Sequence, residues 1–334
     1  MSLKSVLNGK NEYDKEFQRI IREIIPKKVD FKTLSGKAAF SNEYSSIVKY
    51  QLSKSTNSAI IGTAFDYLAR VLTYRYIDFT NKRALDGLIA KRGLENLERF
   101  IIKDNSRAKR ILNKSYKKGI ASMLKFIKGK KEVEEIISAA CLFAKLELYQ
   151  RSAYPPTEIE NYLIRNHNDE EVIMDLIKLC KVYEERFLVR SVISPSSTVI
   201  ANPSFGIGSA LVGGADADII IDNTLYDFKT TNKNGYNWKE IAQVFSYALF
   251  HNIAKRCEEL LYLYKEIEIN RIALYHGRFG EIEYFDLNNI DKETLRNAEN
   301  EIIKNQLKNP SVVVNLTRNN IDIKRLKFTE YVKR

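Results

Sequence analysis

Three cysteines, three histidines and the lack of any long apolar run set the first limits on this chain of 334 residues. Cys141, Cys180 and Cys257 lie far apart and are odd in number, so they offer neither a disulfide framework nor the paired spacing of a zinc site. No stretch approaches the roughly 18 consecutive apolar residues of a membrane-spanning helix, so no membrane partner is expected. The opening residues, MSLKSVLNGKNEYDKEF, contain no apolar signal core and argue against export. Together these features point to a reducing, cytoplasmic setting. His167, His251 and His276 are isolated, and each reads as structural rather than as a ligand. No Gly-rich loop of the nucleotidase type is present, which argues against ATP hydrolysis by this chain. No internal repeat is evident.

Hydrophobic residues make up 44% of the chain, as in an ordinary globular protein, and the length suits one large or two ordinary domains. The informative stretch is Gly213 to Tyr247. Gly213, Gly214, Asp216 and Asp218 lead into the β-branched run Ile219 to Ile221, a polar turn follows at 222–224, and Leu225 to Thr230 carries Asp227-Phe228-Lys229. Turn residues between two strand-like runs predict a hairpin. With a two-residue turn, at Asp222-Asn223 or Asn223-Thr224, alternation places Asp216, Asp218, Asp227 and Lys229 on one face. The opposite face then takes Ile219, Ile221, Tyr226 and Phe228, which suits a buried layer. Several carboxylates beside a lysine are costly unless a cation binds, and hard divalent cations such as Mg²⁺ favour oxygen ligands. After a loop with Gly235, a helical pattern carries Gln243 and Tyr247 one turn apart on one face.

The order Gly-x-x-Asp, Asp-x-Lys, Gln-x-x-x-Tyr resembles the PD-(D/E)XK nuclease superfamily, most closely its RecB-like branch. The resemblance implies an α/β fold with a restriction-endonuclease-like core, a small mixed sheet flanked by helices. It implies that Asp218 (or Asp216) and Asp227 hold Mg²⁺ or Mn²⁺, that Lys229 stabilises or orients the attacking water, and that Gln243 and Tyr247 touch the metal site or the nucleic-acid backbone. Asp216 better fits the spacing from Gly213, whereas Asp218 leads directly into the apolar strand. RecB-like nucleases also carry an acid on a helix ahead of the sheet, for which Asp66, in the apolar helical pattern from Ile60 towards Tyr76, is the candidate. The alternative for Asp66 is an ion pair with Arg70 one turn on. Some relatives of that branch hold an iron–sulfur cluster on four cysteines, which three scattered ones argue against here.

The single motifs recur. Asp30-Phe31-Lys32-Thr33 repeats Asp227-Phe228-Lys229-Thr230, Asp322-Ile323-Lys324 is a third Asp-x-Lys, and Gln150 with Tyr154 is a second Gln-x-x-x-Tyr. Only the set around Asp227 has an acidic strand before it and the helical pair after it, so the ordered set carries the signal.

The 54 basic and 42 acidic side chains leave a formal net charge of +12. The segment from Lys103 to Lys131 has eleven Lys or Arg and one acid, Asp104. Arg107, Arg110, Lys114 and Lys117, with Lys118 beside them, recur at helical spacing, while Ile111, Leu112, Ile120, Leu124 and Ile127 supply the buried side. Neighbouring like charges repel, and phosphates relieve that repulsion. Backbone contact with a nucleic acid, without strong sequence preference, is expected.

Helices are expected over 12–25, 43–54, from Ile60 towards Tyr76, and over 83–102, 107–127, 132–154 (ended by Pro155-Pro156), 157–164, 170–188, 238–257 and 291–307. Strand character is expected over 197–201, 207–221, 225–230, 268–275 and 281–287. The organisation expected is a mostly helical region over 1–190 with the basic helix at 103–131, a nuclease-like core over 191–310, and a solvated tail over 311–334. The function expected is hydrolysis of DNA phosphodiester bonds dependent on a divalent metal, in repair, recombination or phage defence, with a helicase or other protein supplying any targeting. A catalytically inert nucleic-acid-binding or scaffold protein of the same fold, and an RNA-cleaving nuclease, are the alternatives.

Overall fold

The computed structural model describes residues 2–54, 57–80, 82–152 and 159–329. Short β-branched and aromatic runs form the strands β1 (Lys32–Thr33), β2 (Val199–Ala201), β3 (Ile219–Ile221), β4 (Thr224–Lys229), β5 (Arg271–His276) and β6 (Glu281–Asp286). They build one mixed sheet in the order β1-β6-β5-β4-β3-β2, in which β4 and β5 are parallel and the other pairs antiparallel. The parallel pair needs a crossover, and a helix from Trp238 to Arg256 supplies it.

The helices are α1 (Leu3–Val6), α2 (Glu12–Ile24), α3 (Asn57–Tyr76), α4 (Ile89–Phe100), α5 (Ser106–Ile127), α6 (Glu134–Ser152), α7 (Glu170–Arg186), α8 (Gly206–Ala210), α9 (Trp238–Arg256), α10 (Lys292–Gln306) and α11 (Pro310–Arg318). Two hydrophobic cores lie on opposite faces of the sheet. Ile219, Ile221, Tyr226, Phe228 and Tyr275 pack with α3 to α7, and Ile220, Leu225, Ile272 and Leu274 pack with α1, α2 and α8 to α11. The sheet is therefore the middle of three layers, and its central strands are apolar on both sides, as a sheet covered on both faces requires. The layers are not consecutive in sequence: α2 packs beside α10, where Arg19 reaches Glu301 at 2.8 Å.

The register of the hairpin is Ile219↔Tyr226, Ile220↔Leu225 and Ile221↔Thr224, so the turn is the two residues Asp222-Asn223. Asp222 takes the left-handed conformation (φ 51°) that aspartate tolerates, and its carboxylate accepts the Thr198 amide at 2.9 Å. With that turn, the expected alternation holds for Ile219, Ile221, Tyr226 and Phe228, but it does not extend back to Asp216, because Ala215 and Ala217 pack in the opposite core and Asp216 pairs with Arg151 of α6.

Several elements differ from expectation. Residues 43–54 form no helix; they are turns tied to the core, with the Ile47 and Val48 amides donating to the Arg278 carbonyl at 2.8 and 3.0 Å. The expected strand over 207–221 is a strand only from Ile219. Its first part is the short helix α8, laid so closely on α9 that a Cβ at Gly208 would stand 2.3 Å from the Phe250 carbonyl oxygen. The helix expected over 83–102 begins only at Ile89, after Gly87 takes φ 72°. The tail is partly packed: α11 buries Val312 and Leu316, and Phe328 bridges to Cys257. Tyr154, the Pro155-Pro156 break, Thr157, Lys333 and Arg334 lie outside the described residues. Among the described residues no helix is long and apolar enough to cross a membrane.

Candidate active site

Asp218 immediately precedes β3 and Asp227 lies within β4, so the hairpin register sets them opposite one another. Asp218 continues the ladder with its side chain: its Oδ2 accepts the Phe228 amide at 2.5 Å. Asp227 is buried at 4% exposure and touches Lys229, whose Nζ lies 2.5 Å from its Oδ2. Lys229 also donates to Gln243 Oε1 at 3.4 Å, and Gln243 Nε2 donates to the Tyr247 hydroxyl at 2.7 Å. Asp227, Lys229, Gln243 and Tyr247 thus form one polar chain from β4 into α9. Tyr247 is buried and stacked on Phe205 with ring centroids 5.7 Å apart.

Asp66 arrives from the other helical layer. It lines a cleft of about 420 Å³, including its open mouth, together with Tyr67, Glu147, Arg151, Asp216 and Asp218. The ion pair with Arg70 is not formed, because that guanidinium is spent on carbonyls, from Nε to Ala84 at 2.9 Å and from Nη2 to Asp86 at 3.0 Å. Asp216 bridges to Ser204 along the chain, and its carboxylate accepts from Arg151 at 2.7 Å.

The charges in this corner are poorly compensated. Burial, then the negative charge of Asp227, pushes Asp218 up to about 8. Burial, then Asp218, pushes Asp66 well above the ordinary carboxylate range. Burial works against the charge on Lys229, but Asp227 more than offsets it, and the ammonium titrates above its usual value. Burial, then Asp227, raises the Tyr247 hydroxyl, which therefore keeps its proton.

An oxygen-only donor set with unrelieved repulsion fits a hard divalent cation in its chemistry. Among the described residues, however, no three His, Cys, Asp or Glu side chains converge as a ready-made ligand set. The structure brings Asp218 and Asp227 together and keeps Lys229, Gln243 and Tyr247 with Asp227. Asp66 and Asp216 line the cleft together with Asp218.

The other copies of the motifs stand elsewhere. Asp30 is exposed and accepts the Lys27 amide at 2.7 Å. Lys32 and Thr33 do reach the sheet, as the edge strand β1, where the sequence offered no partner strand. Asp322 accepts the Lys324 amide at 3.1 Å in a single turn, and Gln150 accepts from Asn96 at 2.7 Å. His276 is the register partner of Lys229 on β5, and its Nε2 lies 2.7 Å from the buried Glu283. His251 is held between the Tyr262 hydroxyl and the Ile267 carbonyl.

On α5, Arg107, Arg110, Lys114, Lys117 and Lys118 are exposed, while Leu112, Met123, Phe126 and Ile127 are buried. Ile111, Ile120 and Leu124 of the expected buried side are only half-buried. Among the described residues no acid forms an ion pair with those five cations.

Sequence reasoning missed Glu147 and Arg151, which wall the cleft from the last turns of α6. Glu147 accepts from the Tyr67 hydroxyl at 2.6 Å and from Arg151 Nε at 2.8 Å. A signal was present: an acid and an arginine four apart interrupt the apolar run of a buried helix, where unpaired charges are costly.

No protein-family model, curated protein or solved structure matches this chain.

Proposed function

We propose that this chain is a divalent-metal-dependent nuclease with a restriction-endonuclease-like core, acting on DNA. One observation carries the reading. Asp218 faces Asp227 across the hairpin, and Lys229 links Asp227 to Gln243 and Tyr247 of α9. Nothing in the packing of a sheet calls for that combination.

Asp218 and Asp227 would hold Mg²⁺ or Mn²⁺, with Asp66 and Asp216 beside Asp218 in the cleft. Such an ion neutralises phosphate charge and makes bound water a better nucleophile. In the hydrolysis a water oxygen bonds to phosphorus, the phosphorus–oxygen bond to the leaving sugar oxygen breaks, and that oxygen ends with a proton. Lys229, held charged by Asp227, directs an ammonium at the developing negative charge on phosphate. Gln243 and Tyr247 restrict where that ammonium sits. The exposed stripe on α5 supplies backbone contacts along the strand, which add affinity without reading sequence. A helicase or other protein partner would supply targeting.

The second reading is a nucleic-acid-binding protein that keeps the site without cleaving. It is favoured by the lack, among the described residues, of three converging ligand side chains. Purified protein incubated with linear and circular, single- and double-stranded DNA, and with RNA, separates the readings. Cleavage with Mg²⁺ or Mn²⁺ that EDTA abolishes is expected on DNA. Salt-sensitive binding without cleavage under any metal would instead establish the binding protein, and cleavage confined to RNA would correct the substrate.

A further inference from the structure

The cleft beside Asp218 holds a cation that belongs to no part of the motif. Arg151, in the last turn of α6, spans it with a forked guanidinium, Nε donating to Glu147 Oε1 at 2.8 Å and Nη2 to Asp216 Oδ2 at 2.7 Å. A single side chain thus ties the helical layer to the segment that leads into β3. Asp66 and Asp218 line the same cleft.

The two ends of this bridge differ in freedom. Glu147 is fixed: its side chain is 11% exposed and its second oxygen is held by Tyr67 at 2.6 Å. The Arg151 side chain is 48% exposed. Lys229, the other cation of the site, is 16% exposed and committed to Asp227 and Gln243. Of these two, Arg151 is the one with a face open to an incoming strand. Glu147 is buried and the Asp216 side chain is 26% exposed, so releasing the arginine is costly unless another cation takes its place beside those carboxylates. A guanidinium also suits phosphate oxygens as well as it suits carboxylates, because the same two parallel donors serve both.

The helix α4 links the basic helix α5 to the end of α6 that carries Arg151. Gln150, next to Arg151, accepts from Asn96 of α4, and Glu98 of α4 accepts from Asn113, which sits between Arg110 and Lys114 on α5.

We propose that Arg151 is a phosphate-binding residue held in reserve. It neutralises Asp216 and Glu147; once those carboxylates have another counter-ion it turns to a backbone phosphate of the strand. This rests on the nuclease reading and adds a residue to it. Asp216 lies two residues from Asp218, so Arg151 competes with any cation that the site takes up. Competition of this kind is reciprocal: whatever weakens the arginine's hold strengthens the cation's.

The test is a titration with Mn²⁺ alone, followed by binding of a short single-stranded oligonucleotide with Ca²⁺ present. It uses the full chain as wild type, Arg151→Gln, Arg151→Lys and Asp227→Asn. Arg151→Gln is expected to bind Mn²⁺ about five- to tenfold more tightly and the oligonucleotide about tenfold more weakly. Arg151→Lys, which keeps the charge but loses the fork, is expected to fall between wild type and Arg151→Gln in oligonucleotide affinity. It also carries the test if the glutamine variant does not fold. Mn²⁺ binding that Asp227→Asn weakens but neither Arg151 variant alters would overturn this inference alone. Tighter Mn²⁺ binding with unchanged oligonucleotide affinity would overturn the phosphate role. Mn²⁺ binding indifferent to Asp227→Asn as well would remove the nuclease reading and this inference with it.

Discussion

Asp218 and Asp227 face each other one residue beyond the Ile219–Tyr226 register pair, so the hairpin itself holds two acids in opposition. Only one of them has a cation against it: Lys229 sits on Asp227, while Asp218 leans on the Phe228 amide and is pushed up to about 8 by burial and by its neighbour. The fold therefore carries a local electrostatic cost at Asp218.

That cost is measurable as a dependence of stability on pH. The unfolded chain releases the Asp218 proton at about pH 4, whereas the folded chain keeps it to about 8. Between those values the folded state binds more protons, so the contribution of this group falls as pH rises through the interval and is level above it. Asp218→Asn removes the dependence. Denaturant unfolding without divalent ions should show the variant about 1–3 kcal/mol more stable than wild type at pH 9 and equal to it near pH 4. Saturating Mg²⁺ should narrow or reverse the gap at pH 9, because binding to the folded state alone stabilises it. A variant less stable at both pH values would mean that the Phe228 hydrogen bond outweighs the repulsion.

Gln243 touches Lys229 and is held by Tyr247, and in the proposed nuclease it would position the ammonium. Gln243→Ala and Tyr247→Phe are expected to lower the cleavage rate about 10- to 100-fold with little change in KM, the pattern of a contact that matters mainly in the transition state. Rates on one DNA substrate, with melting temperatures recorded alongside, check this. A rise in KM at constant kcat would place both residues on substrate binding instead.

The stripe on α5 should act through charge alone. Arg110→Ala, Lys114→Ala and Lys117→Ala together replace three exposed cations that have no acid partner among the described residues. The slope of log affinity against log salt should become shallower by about 2–3. The melting temperature should be unchanged. An unchanged slope would make this surface a candidate for protein contact.

The hairpin was legible because its physics is local. A two-residue turn and strict alternation fix which side chains share a face, and Ile219, Ile221, Tyr226 and Phe228 do enter one core. The Gln243–Tyr247 pair was legible for the same reason, being one turn of one helix. What the sequence hid depends on tertiary placement. Residues 43–54 have helical spacing, yet the Arg278 carbonyl claims two of their amides. Gly208 sits in a β-like pattern, yet that stretch is a helix laid closely on α9. Glu147 and Arg151 join the cleft only because α6 ends there, far along the chain from Asp216. No spacing rule reports such a meeting.

Replacement of Asp227 decides whether the hairpin acids take part in the chemistry. Asp227→Asn keeps the shape of the side chain and removes its charge. In Mg²⁺ the wild-type chain should cleave DNA, and the variant should be slower by about 10³-fold or more while melting within a few degrees of wild type. Equal cleavage by a folded Asp227→Asn protein would contradict the account, since the hairpin acids would then have no part in the chemistry.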